Sequence, residues 1–240
     1  MLEDMLMIYR STTPPVDATV NPGPHAGTLL SSYDFQTLTT LPTFRTSQSL
    51  IGVGSGNTVT GPAGSLLANK LEKGGLTFVR QDMSTVTGAA GGVFYFPGEI
   101  PNQCVVTLAI ALNIDGAPES ATANNNAHLG IHFGSATQTN RIGTRWIVSK
   151  RQIVQTVQNL ATGGTDTYTT SASPSGIVKI RIEKASANVK VYVNDTLVVT
   201  GPSVNSIYTA FGLWFGQNSD SVNPTPQKGL VYNTNVYAYV

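Results

Sequence analysis

The residue best suited to binding chemistry in this chain is Trp214. In an alternating stretch it shares one side with Ala210, Gly212 and Gly216. Sugar rings stack on accessible aromatic faces, so small neighbours would leave room for a saccharide above the indole. The same room could be filled by a crossing loop. The pattern therefore predicts Trp214 as a carbohydrate-binding residue, with a packing role as the alternative.

Four further residues are candidates for the same kind of site. Trp146 directly follows Arg145, and the two pair an aromatic ring with a planar polar group of the type that binds sugar hydroxyls. Tyr168 and Asn125, the latter in a run of three asparagines, are candidates for the rim of such a site. For each of the four, an ordinary strand or loop position is the alternative.

Residues for hydrolysis are not apparent. Glycoside hydrolysis needs two carboxyl groups about 5–9.5 Å apart. On one strand this requires acids at i and i+2 or i+4, whereas the 13 acidic residues here are scattered. We therefore predict no catalytic residue and no enzymatic activity. A glycan hydrolase whose acids come from separate strands remains the alternative.

The histidines and the cysteine do not suggest a metal or a nucleophile. His128 and His132 are four residues apart, which on a strand places them on one face but about 13 Å apart, too far to share a metal. Cys104 lies in an apolar strand, where a buried and inert thiol is expected. No metal and no cofactor are predicted.

The composition excludes several kinds of partner. Charged residues make up 11% of the 240, against about 25% in typical proteins, and the net charge is +1. This balance does not favour binding to nucleic acid. No apolar run reaches the roughly 18 residues of a membrane span, so no membrane insertion is predicted. The first ten residues lack the basic start of a secretory signal.

A β-hairpin is the clearest local structure that the sequence predicts. Residues 177–184 and 189–193 alternate between branched aliphatic and polar side chains, which is the period of a strand. A four-residue loop at 185–188 pairs Glu183 with Lys190, Arg181 with Tyr192 and Ile182 with Val191. The charged side of this hairpin is expected to face water. Asn194-Asp195 then predicts a tight turn into a third strand.

The rest of the chain predicts further strands and no convincing helix. Residues 103–115 are apolar on both faces, as in the middle of a sheet, and 230–240 alternate to the last residue. Roughly a dozen strands separated by turn signals predict an all-β, two-sheet antiparallel sandwich over residues 31–240. The proline-rich residues 1–30 are predicted to be an extended N-terminal arm, either disordered or draped over a partner subunit.

Several motifs resemble the concanavalin A-like lectin and glucanase sandwiches, the laminin-G-like group in particular. They are SYDFQTL at 32–38, VYVND at 191–195, FGLWFG at 211–216 and VYAYV at 236–240. The resemblance covers about a third of the chain and implies a jelly roll whose concave face often binds carbohydrate. The Glu-x-Asp-x-x-Glu run of hydrolytic relatives is absent here, as are the clustered acids of a calcium site.

These features together predict a non-enzymatic structural or adhesive protein of a virus particle, such as a bacteriophage tail, baseplate or capsid-surface protein. Its expected location is the virion. The expected partners are other virion subunits, bound through the N-terminal arm, and possible cell-surface glycan, with the chain forming a homo-oligomer. A free carbohydrate-binding module is the main alternative.

Overall fold

The computed structural model describes residues 16–40, 45–47, 68–72, 74–79, 90–95, 100–111, 127–134, 141–147, 152–159, 164–170, 176–202, 210–217 and 228–240. Every regular element in these ranges is a β-strand, which confirms the all-β prediction. The strands are β1 (Ala26–Asp34), β2 (Arg45–Ser47), β3 (Ala68–Glu72), β4 (Gly75–Val79), β5 (Ala90–Tyr95), β6 (Cys104–Ala111), β7 (Ala127–Gly134), β8 (Arg141–Ile147), β9 (Gln152–Asn159), β10 (Gly164–Thr170), β11 (Ile177–Lys184), β12 (Asn188–Val193), β13 (Thr196–Pro202), β14 (Ala210–Gln217) and β15 (Lys228–Tyr239). Within the same ranges, no helix has the length and apolar character needed to cross a membrane.

The described strands form two antiparallel sheets. Sheet A has eight strands in the order β13-β12-β11-β6-β15-β4-β3, and β1 pairs with β15 beyond the end of β4. Sheet B has seven strands in the order β10-β9-β8-β7-β14-β5-β2. Strand β13 at the edge of sheet A lies beside β9 and β10 at the edge of sheet B. The predicted two-sheet antiparallel sandwich is confirmed.

Strand β6 is the centre of sheet A, as its two apolar faces predicted. It pairs with β11 on one side and β15 on the other, and all eight of its residues are buried. One face belongs to the main core, where complete burial of a residue such as Leu108 contributes about 1.5–3 kcal/mol. That core contains Phe35, Leu76, Cys104, Val106, Leu108, Ile110, Val178, Ile180, Ile182, Val189, Val191, Val193, Val231 and Val236.

The hairpin of β11 and β12 has the predicted register. Ile182 lies opposite Val191, and Glu183 lies opposite Lys190. Ile182 and Val191 are completely buried in the main core. A shift of one residue would move the charged side chains into that core, which is why the alternation alone was sufficient to fix the pairing.

The turn between β12 and β13 also follows the prediction. Asn194 and Asp195 have φ angles of 47° and 64°, in the left-handed region that asparagine and aspartate tolerate better than most residues. The Asn194 side chain accepts a hydrogen bond of 2.9 Å from the Lys179 amide, and the Asn194 amide donates one of 2.8 Å to the Lys179 carbonyl. The turn is therefore anchored to β11 as well as to its own hairpin.

The expectation that the charged side of this hairpin faces water was wrong. Arg181 is only 7% exposed and Glu183 only 2%. The chain preceding β1 crosses over them, and the Arg181 guanidinium donates a hydrogen bond of 3.2 Å to the carbonyl of Asn21. The crossing is close at Gly23, where φ is +76° and a Cβ would lie 3.0 Å from the guanidinium carbon. Only glycine fits there without strain.

Residues 16–25 pack on the domain, so the extended arm predicted for residues 1–30 is not confirmed. Ala18 and Val20 are buried, and the boundary at residue 30 falls inside β1. The segment is held by Gln36, whose side chain hydrogen-bonds the Val16 amide and carbonyl at 2.8 and 3.2 Å. It covers an apolar patch on the outer face of sheet A that contains Ala109, Ala111, Leu230 and Tyr232. Residues 1–15 lie outside the described ranges.

Cys104 is buried as predicted. Burial raises the pKa of its thiol from 9.0 to about 12. The neighbouring Lys184 is also buried, and its ammonium group donates hydrogen bonds to the Asn102 backbone carbonyl and, at 2.8 Å, to the Asn102 side chain. Burial lowers the pKa of Lys184 below its ordinary value of 10.5.

The Cys104 thiol is expected to make the protein less stable in mild alkali. The unfolded chain loses the thiol proton above pH 9, whereas the folded protein keeps it to about pH 12, so stability falls as the pH rises through this window. Between about pH 8 and pH 10, wild type should lose on the order of 1 kcal/mol of unfolding free energy relative to Cys104→Ala. Urea unfolding of both proteins measures this. A difference between the two proteins that does not change with pH would contradict an ionisable buried thiol.

Candidate functional site

The register of sheet B assigns each of its residues to one of two faces. Directly opposed residues on antiparallel strands lie on the same face, and successive residues on one strand lie on opposite faces. One row of opposed residues crosses all seven strands: Thr169, Val154, Arg145, Gly130, Trp214, Val93 and Ser47. The row places Trp214 and Arg145 on the same face, with Gly130 between them.

We call this side of sheet B the polar face. Its residues are mainly glycine, cationic, hydroxyl and amide residues. They are Arg45, Ser47, Gly91, Val93, Tyr95, His128, Gly130, His132, Gly134, Arg141, Gly143, Arg145, Ile147, Gln152, Val154, Thr156, Gln158, Thr165, Thr167, Thr169, Ala210, Gly212, Trp214 and Gly216.

Trp214 is surrounded by glycine on the polar face. Along its own strand the nearest residues on this face are Gly212 and Gly216, and across the ladder they are Gly130 and Val93. Three of these four positions carry no side chain, so the sheet itself supplies little to cover the backbone around the tryptophan. The small neighbours predicted along β14 therefore extend to β7 as well.

The polar face has arginines and histidines and, among the residues that the structure describes, no aspartate or glutamate. Arg141 and Arg145 lie on β8, His128 and His132 on β7, and Arg45 on β2. Arg145 is two strands away from Trp214 in the same row, which corresponds to about 10 Å between their backbones. An aromatic residue and an arginine thus lie two strands apart in one row of the same face.

Trp146 and Tyr168 lie on the other side of sheet B, the apolar face. Trp146 is in a row with Ile153, Leu129 and Phe215. Because Arg145 and Trp146 are successive residues on one strand, only one of them can share a face with Trp214. A two-sheet sandwich buries the apolar face of each sheet, so neither Trp146 nor Tyr168 belongs to a site on the polar face.

Of the five predicted site residues, the structure brings together Trp214 and Arg145. Asn125 lies outside the described residues. Sequence reasoning missed Gly130, Arg141 and His132 as members of the same face. Their only signal is the strand register, since nothing in the spacing along the chain shows that β7 lies between β8 and β14.

Groups for hydrolysis or metal binding are not assembled in the described residues. Asp166 is the one acidic residue in the described strands of sheet B, and it lies on the apolar face, opposite Val157. No group of three histidine, cysteine, aspartate or glutamate residues that could hold a metal ion occurs in the described part of the chain. The residues on the polar face include a tryptophan, several glycines, and arginine, histidine and glutamine residues with hydrogen-bond donors.

No protein-family model and no curated protein sequence matches the chain. Several solved structures, however, are similar to the chain in fold. The catalytic domain of an endo-1,3-beta-glucanase (laminarinase) from Thermotoga petrophila RKU-1 has a TM-score of 0.58 and 14% identity, covering 90% of this chain and 99% of its own. A Bacillus subtilis protein of unknown function with a galectin-like fold has a TM-score of 0.58 and 12% identity, covering 90% and 98%.

The Emp47p carbohydrate recognition domain is also similar, with a TM-score of 0.55 and 10% identity, covering 88% of this chain and 97% of its own. Identities this low show the fold alone. The similar structures confirm the jelly roll that the sequence motifs implied. In fold, the chain is a jelly-roll sandwich similar to these three structures, which include a carbohydrate recognition domain and the catalytic domain of a glucanase.

Proposed function

We propose that the protein is a non-catalytic carbohydrate-binding protein whose ligand lies on the polar face of sheet B. The observation that carries this is the placement of Trp214 among Gly130, Gly212 and Gly216. A sugar ring stacked on an indole needs open space around it, and glycine on three sides provides that space. The similarity in fold to a carbohydrate recognition domain supports the proposal.

The polar face favours binding over hydrolysis. Both inverting and retaining glycosidases use a pair of carboxyl groups beside the scissile bond. The described strands bring no carboxylate to the polar face, so the proposal assigns it no catalytic residue. The fold also occurs in glucanases, so the release of reducing ends from a bound glycan is the measurement that separates the two functions.

The virion role expected from the composition stays a prediction. The three similar structures described above do not support a structural role in a virus particle or subunit contacts through residues 1–30. Glycan binding on the polar face is compatible with a host-attachment protein but does not require one. The proposal therefore concerns the binding activity of the domain, whatever its location.

Replacement of Trp214 by alanine is expected to weaken glycan binding at least tenfold, which corresponds to about 1.4 kcal/mol. A glycan array with the wild-type protein identifies a ligand, and isothermal titration calorimetry gives the affinities. Trp214→Tyr should retain part of the binding, because it keeps an aromatic face. Tyr239→Ala is a matched control, since that ring lies on sheet A and stacks on His25.

Three outcomes would contradict the proposal in different ways. Wild type that binds no glycan removes the function. Binding that is unchanged in Trp214→Ala moves the site away from the polar face. Reducing ends released from the bound glycan by the wild-type protein show an enzyme and overturn the non-catalytic part.

A further inference from the structure

We infer that the ligand of the polar face is an acidic glycan, a saccharide chain that carries carboxylate or sulfate groups. This rests on the proposed function and adds the chemical class of the ligand. The starting observation is an imbalance of charge. In the described strands, the polar face has Arg45, Arg141, Arg145, His128 and His132, and no acidic residue.

Two cationic residues on sheet A are close to acidic residues of the same protein. On sheet A, Arg181 forms ion pairs of 3.1 Å with both Glu183 and Asp195. Lys179 forms one of 3.3 Å with Asp17. Arg181 and Lys179 thus have acidic partners within the protein. The described strands bring no acidic residue to the polar face beside its arginines, so this face carries an excess of positive charge that an anionic ligand would complement.

The hydrogen-bonding chemistry of arginine also favours an anionic ligand. An arginine has five N–H donors and no acceptor. A neutral sugar hydroxyl can both donate and accept, and a site for such hydroxyls gains from carboxylate or amide acceptors beside the aromatic ring. Carboxylate and sulfate are acceptors only, and two of their oxygens match the two parallel donors of a guanidinium. A face rich in arginine and without acids therefore suits an anionic sugar better than a neutral one.

The spacing of the cations suits a chain rather than a single sugar. Arg141 and Arg145 are four residues apart on β8 and on the same face, which corresponds to about 13 Å. Gly143 lies between them, and Gly130 lies between Arg145 and Trp214. One sugar on Trp214 could present its charge to Arg145, while a later sugar of the same chain reaches Arg141. Repeated negative charge along an extended glycan matches this arrangement.

Pairs of polysaccharides that share a backbone and differ in charge test the inference. Polygalacturonate against its methyl ester tests carboxylate, and dextran sulfate against dextran tests sulfate. We expect at least tenfold tighter binding to one or both charged members. Arg145→Gln and Arg141→Gln should each weaken that binding at least fivefold, while Lys190→Gln on sheet A serves as the cation control. Thermal unfolding of each variant checks that it folds.

Salt dependence gives an independent measurement. Raising the ionic strength from about 0.01 M to about 1 M shortens the Debye length from about 30 Å to about 3 Å. Binding to the charged polysaccharide should weaken at least tenfold over this range in wild type. The weakening should be smaller in the Arg141→Gln, Arg145→Gln double variant, because fewer charge pairs remain to be screened.

The outcomes separate this inference from the function on which it rests. Equal binding to neutral and charged members, unaffected by the arginine variants, overturns the acidic ligand and leaves carbohydrate binding intact. No binding to any saccharide overturns both. Equally tight binding to single-stranded DNA at the same charge concentration would show a general anion site and would also overturn the inference. Binding to one charged polysaccharide and not the other identifies the anionic group.

Discussion

Replacement of Arg181 by alanine is expected to lower the free energy of unfolding by about 3–5 kcal/mol. The guanidinium is the centre of a buried polar network. It forms ion pairs of 3.1 Å with Glu183 and with Asp195, and it lies 3.9 Å from the centre of the Tyr192 ring. It also donates to the carbonyl of Asn21, so it joins the segment before β1 to sheet A.

The expected loss of stability is large because Arg181→Ala leaves the buried Glu183 carboxylate without its cation. Glu183 is 2% exposed and, among the described residues, its other side-chain contact is the 3.2 Å hydrogen bond from the Tyr192 hydroxyl. A buried carboxylate without its cation carries a desolvation penalty that water does not repay. The loss should be visible as a lower midpoint of urea unfolding with an unchanged slope.

Two further variants test this explanation. Lys179→Ala breaks an ion pair with Asp17, whose side chain is 77% exposed, and should leave the urea midpoint nearly unchanged. The double variant Arg181→Met, Glu183→Leu removes both charges and should recover part of the stability that Arg181→Ala loses. If Arg181→Ala were as stable as wild type, the segment at 16–25 could not be held by this network.

The burial of this network is a feature that the sequence did not predict. The alternation in β11 and β12 fixed the hairpin register, because a one-residue shift would bury charges among Ile182 and Val191. The same alternation could not show what covers the polar side. The covering segment is rich in proline and glycine, which indicated an arm. Its signal was the short alternation of Val16, Ala18 and Val20, of which Ala18 and Val20 are buried on sheet A.

The candidate site, too, was only partly predictable from the sequence. The small residues beside Trp214 on β14 were apparent from the sequence, because neighbours on one face of a strand are two positions apart. Gly130 and Arg145 join them only through pairing with β7 and β8, which are more than sixty residues away along the chain. No local pattern specifies such pairing. Arg145 and Trp146 lie on different faces for the converse reason, since adjacent positions on a strand alternate between the two faces.

The second prediction concerns the two tryptophans, which lie on opposite faces of sheet B. Trp146→Ala is expected to lower the free energy of unfolding by about 3–5 kcal/mol, the usual cost of removing a large aromatic side chain from a core. Its row on the apolar face contains Ile153, Leu129 and Phe215, which is the composition of a sandwich interior. Trp214→Ala, on the polar face, should change stability by less than about 1 kcal/mol.

Measuring stability and glycan affinity on both variants gives a comparison that a single variant cannot. At a temperature where both are folded, Trp146→Ala should keep the wild-type affinity and Trp214→Ala should not. Trp146→Phe serves as a conservative control and should recover most of the stability, because a smaller ring still fills part of the core. A destabilised Trp214→Ala together with a stable, non-binding Trp146→Ala would show that the two faces are reversed, with the ligand on the face that carries Trp146. Since the register alone assigns the faces, this exchange of roles is the outcome that most directly contradicts the proposed site.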